Sequence, residues 1–179
     1  MSIEFKAFPK IARLSRMITV TEKIDGTNAS IFIGENGEFL TGSRTRWITP
    51  DDDNYGFSKW AHKNKDELME LGAGHHFGEW WGQGIQRNYG ADKKYFSLFN
   101  VSKWESVAAR PTCCLSVPVM YEGIFAEDEI RIALNRLEHY GSVAASGFMK
   151  PEGVMIYHHA ANIYFKKTIE KDHERKGAA

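Results

Sequence analysis

Residues 21–28 of the chain read Thr-Glu-Lys-Ile-Asp-Gly-Thr-Asn. An alternating apolar pattern precedes this stretch, and Ala-Ser-Ile-Phe-Ile follows it at residues 29–33. The pattern predicts a strand that ends near Lys23, a turn, and a second strand. Gly26 allows a tight turn or a close approach of the backbone to a ligand. Two interpretations remain open at this point: a hairpin with a surface Lys-Asp pair, and a turn that carries a nucleophilic lysine.

Five further short motifs follow this stretch in order along the chain. They are Ser43-Arg44, Phe77-Gly78-Glu79, Phe96-Ser97-Leu98-Phe99, Glu152-Gly153-Val154 and Phe165-Lys166. Together with Lys-Ile-Asp-Gly at residues 23–26, the set resembles the covalent nucleotidyltransferases, which comprise the RNA ligases, the ATP-dependent DNA ligases and the mRNA capping enzymes. The block at residues 77–86 looks most like the RNA ligase branch that seals nicks in duplex RNA. The order of six motifs carries this resemblance, since a Lys-x-Asp-Gly tetrad alone has little specificity.

The resemblance implies a catalytic group and a metal site. Lys23 would be the nucleophile that takes AMP from ATP, and Lys166 would contact the α-phosphate. Arg44 would contact ribose and phosphate, with Arg46 as a close rival. Glu152 would be the carboxylate associated with Mg²⁺, for which Mn²⁺ could substitute. We choose Glu152 over the second Glu-Gly doublet, at residues 122–123, because an apolar strand pattern and the Lys166 segment follow it.

The resemblance also implies a set of residues that bind the nucleotide. Glu22 would read the adenine edge, Asn28 would contact phosphate or order the site, and Glu79 would bind the ribose. Phe99 would stack on the base, a contact worth about 1–3 kcal/mol. The complete expected set is Glu22, Ile24, Asn28, Arg44, Glu79, Phe99, Lys166 and Lys167.

A lysine nucleophile must be neutral when it attacks. An ordinary lysine has a pKa near 10.4, so at neutral pH only about one in a thousand or fewer is neutral. Offsetting roughly 4 kcal/mol requires nearby positive charge or burial. Lys166 and Mg²⁺ would supply such charge. Asp25, the remaining residue of the expected catalytic group, would favour the ammonium form, so we expect it to orient groups or the metal's water shell.

Glu79 can be singled out on physical grounds as well. It lies in the apolar run His-His-Phe-Gly-Glu-Trp-Trp at residues 75–81, where burial of a carboxylate is costly without a partner. The sequence therefore predicts that Glu79 is functional or ion-paired. The adjacent His75 and His76 would face opposite sides of a strand and are poor candidates to share one metal.

The last motif departs from the family pattern, in which two lysines often lie two residues apart. Here Lys166 is followed by Lys167 and Thr168. Adjacent strand residues face opposite ways, so Lys167 could replace the second lysine directly only at a bulge.

Local patterns predict an α+β fold with antiparallel sheets and flanking helices. The resemblance implies that this fold is a nucleotidyltransferase domain of ATP-grasp-like ligase type. Asn36-Gly37 indicates a hairpin between residues 31–33 and 39–40. Helices are expected over residues 57–71 and 127–140, and a short packed helix or turn over residues 1–17. We expect a single domain over residues 1–179 without an evident C-terminal accessory domain, and a tail that frays from residue 170.

Composition narrows the classes of function. The chain has 179 residues with 23 basic and 23 acidic side chains, so its formal net charge is zero. Nucleic-acid binders usually show a basic surplus, so any nucleic-acid contact would depend on a local patch. The two cysteines, Cys113 and Cys114, are adjacent and indicate a reducing, cytoplasmic location. No apolar run reaches the length of a membrane span, so no membrane partner is expected.

The sequence thus predicts an ATP-dependent RNA ligase that works through lysyl-AMP to join 5′-phosphate and 3′-hydroxyl ends. Its expected partners are ATP, RNA ends or nicks, and a possible protein that supplies further nucleic-acid binding. A DNA ligase and a GTP-using capping-type enzyme are the alternatives among enzymes. A non-catalytic nucleotide-binding or nucleic-acid-binding module is the alternative from another class.

Overall fold

Ten strands and four α-helices form the part of the chain that the computed structural model describes, residues 3–170 and residue 172. The strands are β1 (Met17–Lys23), β2 (Thr27–Ile33), β3 (Phe39–Gly42), β4 (Trp47–Ile48), β5 (Gly74–Gly82), β6 (Lys94–Leu98), β7 (Cys114–Ser116), β8 (Val119–Ile124), β9 (Gly153–His158) and β10 (Ile163–Thr168). The helices are α1 (Phe57–Lys63), α2 (Lys65–Leu68), α3 (Val101–Trp104) and α4 (Glu127–Tyr140), with 3-10 turns at Met69–Leu71 and Val107–Ala109.

The strands form two sheets. Sheet A has the order β10-β9-β1-β8, and sheet B has the order β4-β3-β2-β5-β6-β7. Every neighbouring pair is antiparallel except β6 and β7, which are parallel. The predicted α+β class with antiparallel sheets and flanking helices is confirmed.

Helix α4 covers one face of sheet A. Side chains alternate along β1, so Ile18 and Val20 point to the helix while the residues between them point away. Leu137 of α4 is fully buried against this face, in one cluster with Val154 and Ile156 of β9. The opposite face of sheet A is left open for the cleft described below.

The segment from α1 to the turn at Met69–Leu71 covers one face of sheet B in the same way. Phe57 packs there against Trp80 and Phe96, whose ring centroids lie 5.5 Å and 5.0 Å from that of Phe57. Asp53 accepts hydrogen bonds from the amides of Ser58 (2.8 Å) and Lys59 (2.9 Å), which satisfies donors at the start of α1.

The turn after Lys23 connects the two sheets. Strand β1 belongs to sheet A and β2 to sheet B, so the interpretation of β1 and β2 as a simple hairpin is wrong. A Cβ atom on Gly26 would lie 2.4 Å from the carbonyl oxygen of Trp80, so only glycine lets the turn pass this close to β5. The hairpin predicted from Asn36-Gly37 is confirmed as the connection of β2 to β3.

Two other expectations are corrected. Residues 3–13 form no helix, and their apolar side chains are exposed, because no described part of the protein packs on them. The helix expected over residues 57–71 is divided at Asn64, whose φ of −104° interrupts the helical geometry. The expected fraying concerns residues mostly outside the described part of the chain. No helix of the described part is long and apolar enough to cross a membrane.

We predict that Leu137→Ala lowers the free energy of unfolding by about 2–5 kcal/mol, because it leaves a cavity between α4 and sheet A. Ile132→Ala on the same helix is the control. Ile132 is 55% exposed, so its replacement should change stability by less than about 0.5 kcal/mol. Urea unfolding followed by circular dichroism measures both. Equal losses for the two variants would contradict this account of how α4 packs.

Candidate active site

Lys23 is the last residue of β1 and lies opposite Gly153, the first residue of β9. Its Nζ donates a hydrogen bond to the carboxylate of Glu152, which directly precedes β9. Glu152 is buried, and the Lys23 side chain is 19% exposed. The register of two neighbouring strands therefore brings residues 129 positions apart into one ion pair.

The backbone conformation and close surroundings of position 153 explain why a glycine must follow Glu152. The φ of Gly153 is +152°, and a Cβ atom there would lie 2.2 Å from the carbonyl oxygen of Lys167 on β10. A side chain would push β10 away from β9 and change the direction in which Glu152 points. The Glu-Gly doublet is thus a requirement of the backbone as well as of the carboxylate.

Glu79 on β5 approaches the same turn from sheet B. Its carboxylate accepts hydrogen bonds from the amide of Gly26 (3.0 Å) and from Nδ2 of its strand partner Asn28 (3.3 Å). Burial raises the pKa of Glu79 to about 7, although the nearby Lys23 charge acts to lower it. The partners of Glu79 are thus neutral donors, and it forms no ion pair with a described residue, so of the two predicted alternatives the functional role stays a prediction.

Asp25 pairs with a residue that sequence reasoning missed. Arg87 Nε lies 2.9 Å from the Asp25 carboxylate, and Arg87 also donates to the carbonyl oxygen of Lys150 (3.0 Å). The amide of Asp25 donates to the Tyr89 hydroxyl at 2.8 Å, and burial raises the pKa of that hydroxyl. Arg87 and Tyr89 lie shortly after the glycines at positions 82 and 84. This glycine-rich stretch was the sequence signal that could have pointed to them.

Glu22 does not have the orientation expected of a residue that reads the adenine edge. Its side chain points to the α4 side of sheet A and is 1% exposed. The carboxylate accepts hydrogen bonds from Ser142 Oγ (2.6 Å) and from the amides of Val143 (2.8 Å) and Ala144 (2.9 Å). Burial raises the pKa of Glu22, although these hydrogen bonds act to lower it. The reason is strand alternation, since the side chain next to Lys23 must face away from it.

The same alternation separates the two adjacent lysines of β10. Lys166 lies opposite Met155 and lines the cleft that contains Lys23. Lys167 lies opposite Val154, and its Nζ is 3.5 Å from Asp172. The pairing of β9 with β10 runs without a register shift through these residues. The expectation that Lys167 binds the nucleotide therefore does not fit the structure.

Arg44, Asn28 and Phe99 line the cleft as well, and together they border a smaller pocket of about 200 Å³. Arg44 is exposed and forms no ion pair with a described residue, whereas Arg46 is held by Asp52 at 2.5 Å. This difference favours Arg44 over its rival for a bound anion. Ile24 touches the cleft but belongs to a buried cluster with Trp81, Tyr89 and Val117.

The cleft itself has a volume of about 1330 Å³ and lies between the open faces of the two sheets. Lys23, Asp25, Glu79 and Lys166 all line it, and Glu152 contacts Lys23 beside it. A lysine, several carboxylates and free cations thus surround one space. Such a set can bind a phosphorylated ligand and present an amine to it.

Comparisons with known proteins identify chains of similar fold. Structures of Naegleria gruberi RNA ligase mutants superpose on the chain with 16–17% identity. The apo form gives a TM-score of 0.63 and covers 86% of this chain and 50% of that one. The form with AMP and Mn gives 0.64, with 87% and 50% covered, and one with ATP and Mn gives 0.63, with 90% and 52% covered. These likenesses define the fold as that of an RNA ligase nucleotidyltransferase domain.

Residues 16–171 match the RNA ligase family. The chain therefore belongs to the RNA ligase family, as the motifs predicted. It spans about half the length of the Naegleria gruberi RNA ligase chains that it matches. No curated protein matches it.

The raised pKa of Glu79 leads to a prediction about pH. The folded state holds the Glu79 proton more tightly than the unfolded chain, so the stability that Glu79 contributes is complete below about pH 4.5 and is lost as the pH rises through 7. Glu79→Gln stays neutral and should avoid this loss. The free energy of unfolding of Glu79→Gln minus that of wild type should therefore increase by roughly 1–3 kcal/mol between pH 4.5 and pH 8.

Urea unfolding of both proteins at several pH values measures this difference. A difference that stays constant with pH would contradict the raised pKa of Glu79.

Proposed function

We propose that this chain is an ATP-dependent RNA ligase that forms a covalent lysyl-AMP intermediate at Lys23. The observation that carries the proposal is the position of Lys23, whose amine lies in the cleft and contacts the carboxylate of Glu152. Membership of the RNA ligase family supports it further. A module that only binds nucleotides or RNA would have no use for an amine held in this way.

The proposed reaction has three steps. In the first, Lys23 Nζ attacks the α-phosphorus of ATP, an N–P bond forms, pyrophosphate leaves, and the amine releases its proton. In the second, an oxygen of an RNA 5′-phosphate attacks the same phosphorus and displaces the lysine, which leaves AMP on the RNA end. In the third, a 3′-hydroxyl attacks the 5′-phosphorus, the phosphodiester forms, and AMP departs.

The Lys23–Glu152 pair must open before the first step, because the amine needs a free electron pair to attack phosphorus. Glu152 would be the residue that holds a divalent cation together with the triphosphate, which would give its carboxylate a partner in place of Lys23. Mg²⁺ is commonly held by one or two carboxylates together with substrate phosphates. Glu152 fits that role with no further protein ligand, and no cluster of three or more ligating side chains occurs in the described residues. When bound, Mg²⁺ or Mn²⁺ would neutralise phosphate charge.

The other cleft residues take complementary roles in this proposal. Arg44 and Lys166 line the cleft, form no ion pair with a described residue, and can meet the phosphates. Phe99, which is half-buried beside Asn28 in the smaller pocket, can stack on adenine. Glu79 can bind the ribose hydroxyls, and Arg87 holds Asp25 in place at the turn. The Glu22 carboxylate positions Lys23 indirectly by fixing the segment at residues 142–144.

The acceptor in this proposal is an RNA end or nick. The family match favours RNA over DNA. The proposal includes a partner protein that would supply further contacts to RNA. A cytoplasmic setting, with ATP and reduced cysteines, suits this reaction.

We predict that the protein joins a 5′-phosphorylated RNA nick when ATP and Mg²⁺ are present, and that Lys23→Ala abolishes this joining. A nick that already carries AMP on its 5′-phosphate needs no lysyl-AMP, so Lys23→Ala should join it. The assay compares all-RNA nicks with all-DNA nicks of the same sequence on a denaturing gel. Equal or better joining of DNA would contradict the RNA assignment, and joining of the ordinary nick by Lys23→Ala would contradict the mechanism.

The two lysines of β10 provide a matched pair for the phosphate contact. Lys166→Ala should slow self-adenylation by about 100-fold, because it removes a charge directed at the reacting phosphate. Lys167→Ala also removes one positive charge, but the Lys167 side chain faces away from the cleft. This variant should therefore slow self-adenylation less than threefold. Transfer of label from α-labelled ATP to the protein measures both rates. The reverse order of the two effects would contradict the proposed role of Lys166.

A further inference from the structure

The cleft is larger than the adenylation reaction requires. Its volume of about 1330 Å³ exceeds the roughly 300–1,000 Å³ typical of pockets for a single small molecule. Lys23, Asp25 and Glu79 lie at one end of it. The other end is lined by aromatic rings that the reaction described above does not use.

One group of rings lies on sheet A. Tyr157 of β9 pairs with Thr19 of β1, four residues before Lys23, which places it about 13 Å from the lysine along the strand. Tyr164 of β10 pairs with Tyr157, and the two ring centroids are 4.6 Å apart. Tyr164 is 57% exposed, so much of its ring surface is free.

A second group of rings lies on sheet B. His75 and Phe77 follow one face of β5, on which Glu79 is the next residue. Their rings are nearly parallel, with centroids 5.8 Å apart and an interplanar angle of 9°. His75 is four residues from Glu79, again about 13 Å along the strand. Phe77 is 58% exposed, lies between Glu79 and His75 on the strand, and also borders the smaller pocket with Phe99. We call His75, Phe77, Tyr157 and Tyr164 the outer aromatic group.

Positive charge accompanies the outer aromatic group. The lysines and arginines that line the cleft beyond Lys23 are Arg44, Lys103 and Lys166. Among the described residues, the carboxylates that face it are those of Asp25 and Glu79. Both lie near Lys23 and already have hydrogen-bond or ion-pair partners. The cleft beyond Lys23 therefore presents cations, of which Lys103 is the one that the proposed adenylation does not use.

Exposed rings with interspersed cations are the combination that binds single-stranded nucleic acid, because bases stack on the rings while the cations meet the phosphates. Bases within a duplex are already stacked on one another and present no free face. A purely apolar partner surface would not use Lys103, the cation that adenylation leaves without a role. These features select unpaired RNA as the occupant.

We propose that the outer aromatic group binds unpaired nucleotides of the RNA strand next to the end being joined, by stacking their bases on Tyr164 and Phe77. This inference rests on the proposed RNA ligase function and names its substrate more closely. The enzyme is directed to ends with unpaired flanking nucleotides, in preference to nicks within a continuous duplex. The adenylate occupies the Lys23 end, and the flanking nucleotides occupy the outer end.

The test measures binding of the full-length protein to a single-stranded RNA oligonucleotide that contains fluorescent 2-aminopurine, without ATP. Tyr164→Leu and Phe77→Leu should each weaken binding by about five- to one-hundredfold, the range expected for the loss of one stacked base. Tyr164→Phe keeps the ring and should bind like wild type. Tyr140→Leu removes a 79% exposed tyrosine on α4, away from the cleft, and is the matched control.

Salt dependence separates stacking from charge. The leucine variants should keep the slope of log affinity against log salt, whereas Lys103→Met should reduce that slope by about 0.7, the value for one phosphate on a single strand. Melting temperatures establish that each variant is folded.

Unchanged affinity in folded Tyr164→Leu and Phe77→Leu would overturn the proposal. Tighter binding by wild type of a fully paired nicked RNA than of the single strand would also overturn it, and would assign the rings to a duplex or to a protein partner. Self-adenylation of wild type is measured separately. Its absence would refute the ligase function, whereas normal adenylation with no effect of the ring substitutions would refute the outer binding site alone.

Discussion

The ion pair between Lys23 and Glu152 is the interaction on which the candidate active site depends. Both side chains are mostly removed from solvent, and a buried charge left without its partner costs several kcal/mol. The pair forms because β1 and β9 are in a register that sets Lys23 opposite Gly153. That register is fixed in turn by the apolar face of sheet A, since a shift by one residue would turn Ile18 and Val20 away from α4.

The second sheet completes the site through a single close contact. Gly26 passes beside β5 near enough for its amide to donate to Glu79, so the turn after Lys23 is held from both sides. This brings Lys23, Asp25, Glu79 and Glu152 close enough for their charges to interact. Burial is the main reason that the pKa of Glu79 rises to about 7, and the two neighbouring carboxylates add to it. The candidate site thus contains several acids around one amine.

The order of motifs and the local periodicity predicted the α+β class, the hairpin of β2 and β3, helix α4 and the convergence of Lys23, Arg44, Glu79, Phe99 and Lys166 on one cleft. Side-chain direction was harder to predict. Strand alternation turns the Glu22 carboxylate away from the cleft, and only the register of β9 and β10 shows that Lys167 does the same. The Asp25–Arg87 pair depends on the path of the loop after Gly82, which no periodic pattern specifies.

The central claim is that Lys23 leaves Glu152 and becomes the covalent carrier of AMP. Its most direct test is peptide mapping by mass spectrometry after the wild-type protein has been incubated with ATP and Mg²⁺, with GTP as the comparison. The account predicts an AMP adduct, formed from ATP and labile to acid as a phosphoramide is, on the peptide that contains Lys23. An adduct on another lysine, a preference for GTP, or no adduct with either nucleotide would contradict it.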